Sequence, residues 1–134
     1  MKKAMPVGVD NFEKLIKDGY YYVDKTLFIK ELLDLKGEVN LFTRPRRFGK
    51  TLNLSMLRYF FEDTGNREKN EENRKLFHGL QIMSAGEDYE EQMGRYPVIN
   101  ITLKSAKQAS FESAFYKIKE EIAREFKGMM ICLT

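Results

Sequence analysis

One stretch limits what this chain can become more than any other: Val39-Asn40-Leu41-Phe42-Thr43-Arg44-Pro45-Arg46-Arg47-Phe48-Gly49-Lys50-Thr51. An apolar, β-rich run passes through a basic loop straight into a strongly apolar helical pattern. A loop that closes on Gly49-Lys50-Thr51 has the chemistry of a phosphate cradle. Consecutive backbone N–H groups and a helix N-terminus face the phosphate oxygens, the lysine reaches the β- and γ-phosphates, and the threonine hydroxyl ligates Mg²⁺. Glycine fits at position 49 because the backbone must pass close to phosphate with no Cβ in the way.

The general eight-residue frame, G-x-x-x-x-G-K-[ST], is met only at its end. Arg44 stands where the first glycine belongs, and Pro45 after it has no N–H to offer. Arg44, Arg46, Arg47 and Lys50 place four cations within seven residues, which favours an anion by charge-assisted contact. The site set is therefore Arg46, Arg47, Phe48, Gly49, Lys50, Thr51 and Leu52, with Thr51 also the metal ligand. The competing reading is a solvated basic turn ahead of a helix.

Along the rest of the chain, Asp10 and Glu13 have capping-box spacing ahead of a short helix over residues 11–18 that Gly19 ends. Tyr20-Tyr21-Tyr22-Val23 reads as an extended packing strip, with a tyrosine against a nucleotide base as the alternative. Asp24 reads as an N-cap, with a direct site role as the alternative, and opens an amphipathic helix that stops at Lys36-Gly37. Residues 38–43 form the first expected strand. The helix from Lys50 to about Asp63 is apolar nearly all round and so is expected to be buried on two sides. Asn66 to Asn73 reads as a polar surface connection, and Gly86 to Gly94 as a solvated acidic segment. The single His78 caps a helix end and has no partner that would make it catalytic. Tyr96-Pro97-Val98-Ile99-Asn100-Ile101-Thr102-Leu103 gives a second expected strand. Ser110 caps a helix whose Phe111, Ala114, Phe115, Ile118, Ile122 and Phe126 form one core face.

Strand, helix, strand, helix is the rhythm of a parallel α/β sheet. The 134 residues suit one domain, and 43% hydrophobic with 32% charged residues is ordinary for a soluble globular chain. The net charge of +3 is too mild for a general nucleic-acid binder, so the basic loop carries the electrostatic signal locally. A lone Cys132 excludes an internal disulfide and a cysteine-based metal site. With no apolar leader and no long hydrophobic span, the expectation is a cytoplasmic protein with no membrane partner.

The segment from Thr43 to Leu57, with Pro6-Val7-Gly8-Val9-Asp10-Asn11-Phe12 and Tyr22-Val23-Asp24-Lys25-Thr26, resembles the AAA-ATPase-like family of bacterial predicted ATPases. The resemblance covers residues 6 to about 126, and it makes Arg-Pro-Arg-Arg-Phe-Gly-Lys-Thr the family's own form of the loop. It implies an α/β fold: a partial P-loop NTPase-like parallel sheet flanked by helices, with ATP and Mg²⁺ as cofactors. Longer members resemble a P-loop ATPase domain followed by a nuclease-like domain of the PD-(D/E)xK type.

The resemblance also implies a later strand ending in acidic residues that supports Mg²⁺ and orients water. No apolar run ending in Asp-Glu follows Phe126, and Met129 to Thr134 departs from the family pattern. Residues 1–134 are therefore expected to be the N-terminal portion of a single P-loop ATPase-like domain, truncated before that strand. Phosphoryl transfer rests on positioning and charge stabilisation, so the expectation is nucleotide binding with weak or absent hydrolysis. Unpaired sheet edges would favour self-association. Two other functions stay open: nucleic-acid backbone binding by the basic loop, and an inactive remnant.

Overall fold

The computed structural model describes residues 2–41, 50–101 and 107–133, with side chains through residue 127. Helix α1 (Phe12–Lys17) is capped by Asn11, whose Oδ1 accepts from the Lys14 N–H at 2.9 Å. The expected capping box on Asp10 is thus displaced by one residue. Its other half fails for a chemical reason: Glu13 accepts instead from the ammonium groups of Lys17 (2.6 Å) and Lys69 (3.0 Å). These charge-assisted bonds are stronger than the one it would make by reaching back to a backbone N–H. Gly19, at φ 70°, takes the left-handed turn that ends α1.

Helix α2 (Leu27–Leu35) follows a turn organised by Asp24. The Asp24 carboxylate is not an N-cap. It accepts from the Thr26 N–H (2.9 Å), the Thr26 hydroxyl (2.6 Å) and the Gln81 N–H (2.8 Å), while Thr26 Oγ1 accepts from the Ile82 N–H at 3.1 Å. Two short side chains thereby fasten the start of α2 to the 3₁₀ turn Gln81–Ser84, more than 50 residues on. Burial alone would raise the Asp24 carboxyl; the bonds from Thr26 and Gln81 outweigh it and hold the group below the ordinary carboxylate value.

Helix α3 (Lys50–Phe61) supplies Met56 and Phe60 to the core. Its expected burial on two sides is half met, since Leu52, Leu57 and Phe61 pack against the core but Leu54 is 54% exposed. The polar stretch read as a connection is helix α4 (Arg67–Lys75), with Asn66 Oδ1 accepting from the Lys69 N–H at 3.1 Å. Glu68 in its first turn and Arg74 and Lys75 in its last complement the helix dipole. A short helix α5 (Glu87–Glu90) precedes the long helix α6 (Phe111–Leu133). Ser110 caps α6 as expected, accepting from the Ser113 N–H at 3.3 Å.

The core joins α1, α3 and the turn after α4. Phe77 stacks on Phe12 at 4.9 Å between ring centroids and meets Phe60 edge-on at 5.3 Å, while Tyr22 meets Phe12 edge-on at 5.7 Å. Such pairs add about 0.5–1.5 kcal/mol beyond the area they bury. Tyr20 and Tyr22 face this core and Tyr21 and Val23 face water, so the aromatic strip packs with alternate residues only.

The expected parallel sheet is not present among the described residues, which are mostly helical. Their only β pairing is an isolated parallel bridge between Glu62 and Tyr96. Of the two expected strands, residues 42–43 and 102–103 lie outside the described residues. The described parts, 38–41 and 96–101, form no ladder beyond the single bridge at Tyr96. Val39 is 90% and Leu41 86% exposed. Strand propensity measures how well a side chain fits a pleated, half-buried surface, and backbone N–H and C=O groups enter a ladder only when another strand answers them. None does among the described residues, so β-branched sequence alone leaves irregular, solvent-exposed backbone there.

Candidate functional site

Lys50 is the first described residue of α3 and Thr51 the second, so both stand at its N-terminal end. There the backbone N–H groups have no partner within the helix and the dipole is positive. Both are exposed, and neither side chain has a hydrogen bond or ion pair among the described residues. Leu52, the last of the expected set, turns its side chain to the core, which leaves only its backbone for a ligand. Arg46, Arg47, Phe48 and Gly49 lie outside the described residues.

From Thr51 the same face of α3 continues through Ser55, Arg58, Tyr59 and Glu62, spaced as helical neighbours. This face walls a cavity of ≈ 370 Å³ whose other sides include Asp10 and Asn11 before α1, Lys69 and Asn73 on α4, and Asn100. Two hydrogen bonds hold the start of α1 against it. The Phe12 N–H donates to Ser55 Oγ at 3.0 Å, and Asn11 Nδ2 donates to the Tyr59 hydroxyl at 3.2 Å.

The charged walls are largely committed. Arg58 grips Glu62 through Nε (3.1 Å) and Nη2 (3.3 Å) and reaches Glu125 of α6 at 3.6 Å; Glu125 also accepts from the Asn100 N–H at 3.2 Å. Lys69 is held by Glu13 at 3.0 Å and approaches Glu72 at 3.8 Å. Hydrogen bonding from Lys17, reinforced by Lys69, lowers the Glu13 carboxyl to about 2 against the opposing effect of its burial. Asp10, by contrast, carries no partner among the described residues and is an exposed residue of the cavity's lining.

Asn73 is the unusual wall. It is 2% exposed, and among the described residues neither its Nδ2 nor its Oδ1 has a hydrogen-bond partner. It also lines a second cavity of ≈ 180 Å³ between α3 and α4, with Tyr59 and Glu62. A buried amide without partners costs about 1–3 kcal/mol.

Of the cavity's residues the sequence singled out only Thr51 as a ligand. Asp10 was absorbed into a capping reading and Asn73 into a supposed connection. A signal for α4 did exist, since Asn73, Leu76 and Phe77 recur at helical spacing and the latter two are buried. No group of three or more His, Cys, Asp or Glu side chains that could hold a metal by itself occurs among the described residues. No helix among them is long and apolar enough to cross a membrane.

A family model described as predicted AAA-ATPase matches residues 6–132 of the chain. An uncharacterized protein in the vnfD 5′ region of Azotobacter chroococcum mcd 1 is 37% identical over 102 residues, which is 75% of this chain and 17% of that protein. The chain thus spans about a sixth of the length of this curated relative. No solved structure matches.

Proposed function

The chain belongs to the predicted AAA-ATPase family, and we propose that it binds the triphosphate of ATP through the variant loop that runs into α3. Lys50 contacts the β- and γ-phosphates, backbone N–H groups from Arg47 to Thr51 surround them, and Arg46 and Arg47 add charge. The observation that carries this reading is the position of Lys50 and Thr51, exposed and unpaired at the N-terminal end of a 12-residue helix.

The donor set suits Mg²⁺. The Thr51 hydroxyl and a nearby carboxylate are hard oxygen ligands, and Mg²⁺ keeps several waters and takes only one or two ligands from protein. When bound, the ion would neutralise charge shared between the β- and γ-phosphate oxygens. The chain's own residues position the phosphates and compensate their charge. The proposed activity is accordingly binding with slow hydrolysis, because Glu62, the other carboxylate on the wall from α3, is already occupied by Arg58.

Recognition through phosphate rather than base is directly testable. Inorganic triphosphate should displace a fluorescent ATP analogue from the chain and adenosine should not. Displacement by adenosine alone would contradict the reading.

A further inference from the structure

We infer that Asp10 supplies a carboxylate for the Mg²⁺ that accompanies ATP, acting beside Thr51 and directly or through an ion-bound water. This rests on the nucleotide reading above and assigns a residue that the loop itself does not contain. Three observations converge. Asp10 and Thr51 line one cavity of ≈ 370 Å³ although they lie 41 positions apart. The residues just after Asp10 are fixed to α3 by the Phe12 N–H bond to Ser55 Oγ, one helical turn from Thr51, and by the Asn11 bond to the Tyr59 hydroxyl. The carboxylate is uncommitted among the described residues, whereas the cavity's Glu62 is neutralised by Arg58.

The chemistry asks for such a group. A hydroxyl is a weak ligand by itself, and Mg²⁺ prefers at least one anionic oxygen from protein in addition to phosphate. Asp10 is not the cap of α1, a role that Asn11 fills, so its carboxylate is not held by a capping hydrogen bond.

The test is ATP binding by calorimetry with Mg²⁺ and with EDTA, on wild type, Asp10→Asn, Asp10→Glu and Thr51→Ala, each checked for folding by circular dichroism. Mg²⁺ should tighten ATP binding by wild type. Asp10→Asn should lose about 10-fold of that tightening, the size of effect typical of groups that support a metal. Its affinity in EDTA should stay unchanged, and Asp10→Glu should recover part of the loss. Should Asp10→Asn misfold, a folded Asp10→Ser chain takes its place and should lose the Mg²⁺ tightening to the same extent, while Asp10→Glu keeps part of it. Equal Mg²⁺ tightening in wild type and the carboxylate-free variants overturns this inference while leaving the nucleotide reading intact. A wild-type chain that binds no ATP in either condition overturns both.

Discussion

Helices α1 and α6 carry the same kind of sequence signal and meet opposite fates. In α1 the apolar pair Phe12 and Leu15 is fully buried against α3 and Phe77. In α6 the apolar face is longer and more regular, yet Phe111 is 81% exposed and Phe115, Ile122 and Phe126 remain about half exposed. The less exposed face of α6 carries Ala114, Ile118, Glu121 and Glu125, the last paired to Arg58 and bonded to the Asn100 N–H. Helical periodicity states which residues share a face; whether that face is buried depends on what the remainder of the fold brings to it.

That contrast can be broken from either side. The largest effect is expected at the centre of the packed region. Phe77→Ala removes a ring stacked on Phe12 and edge-on to Phe60, and should cost about 3–5 kcal/mol in denaturant unfolding. A loss below 1 kcal/mol would show that the α1–α3 region is no better packed than α6.

A smaller effect belongs to the ion pairs that tie α1 to α4. The folded-state carboxyl of Glu13 lies at about 2 against 4.5 in the unfolded chain, so its contribution is complete above pH 4.5 and is lost as the pH falls towards 2. Partial exposure screens the Lys17 and Lys69 contacts, and the contribution should be about 1 kcal/mol. Glu13→Gln should flatten the acid limb of the stability curve between those pH values, and an unchanged limb would count against the contact. The smallest effect is expected on α6, where Phe111→Ser should shift monomer stability by no more than about 0.5 kcal/mol. A larger loss would mean that this face is covered in solution.

Local chemistry in the sequence located much of the helical framework. The C-terminal limit of α2, the Ser110 cap and the Gly19 stop follow from short-range patterns that tertiary contacts do not override, whereas the start of α2 is set by the Asp24 and Thr26 bonds to Gln81 and Ile82. The strands failed for a different reason. Val39 to Leu41 and Val98 to Ile101 have the composition of strands but no ladder partner among the described residues, and pairing is not a local property. Helix α4 was missed because its charged residues hid the spacing of Asn73, Leu76 and Phe77.

The site divides in the same way. Lys50 and Thr51 could be nominated from sequence because a phosphate-loop motif is contiguous. Asp10, Asn73 and Asn100 reach the Thr51 cavity from distant parts of the chain, and no spacing rule links them.

The central claim is that Lys50 at the head of α3 holds nucleotide phosphate, and titration calorimetry of Mg-ATP against wild type and Lys50→Ala tests it most directly. The account predicts binding by wild type and a loss of about 1.5–3 kcal/mol in the variant, the worth of a charge-assisted contact. Equal affinity in the two folded proteins would contradict it.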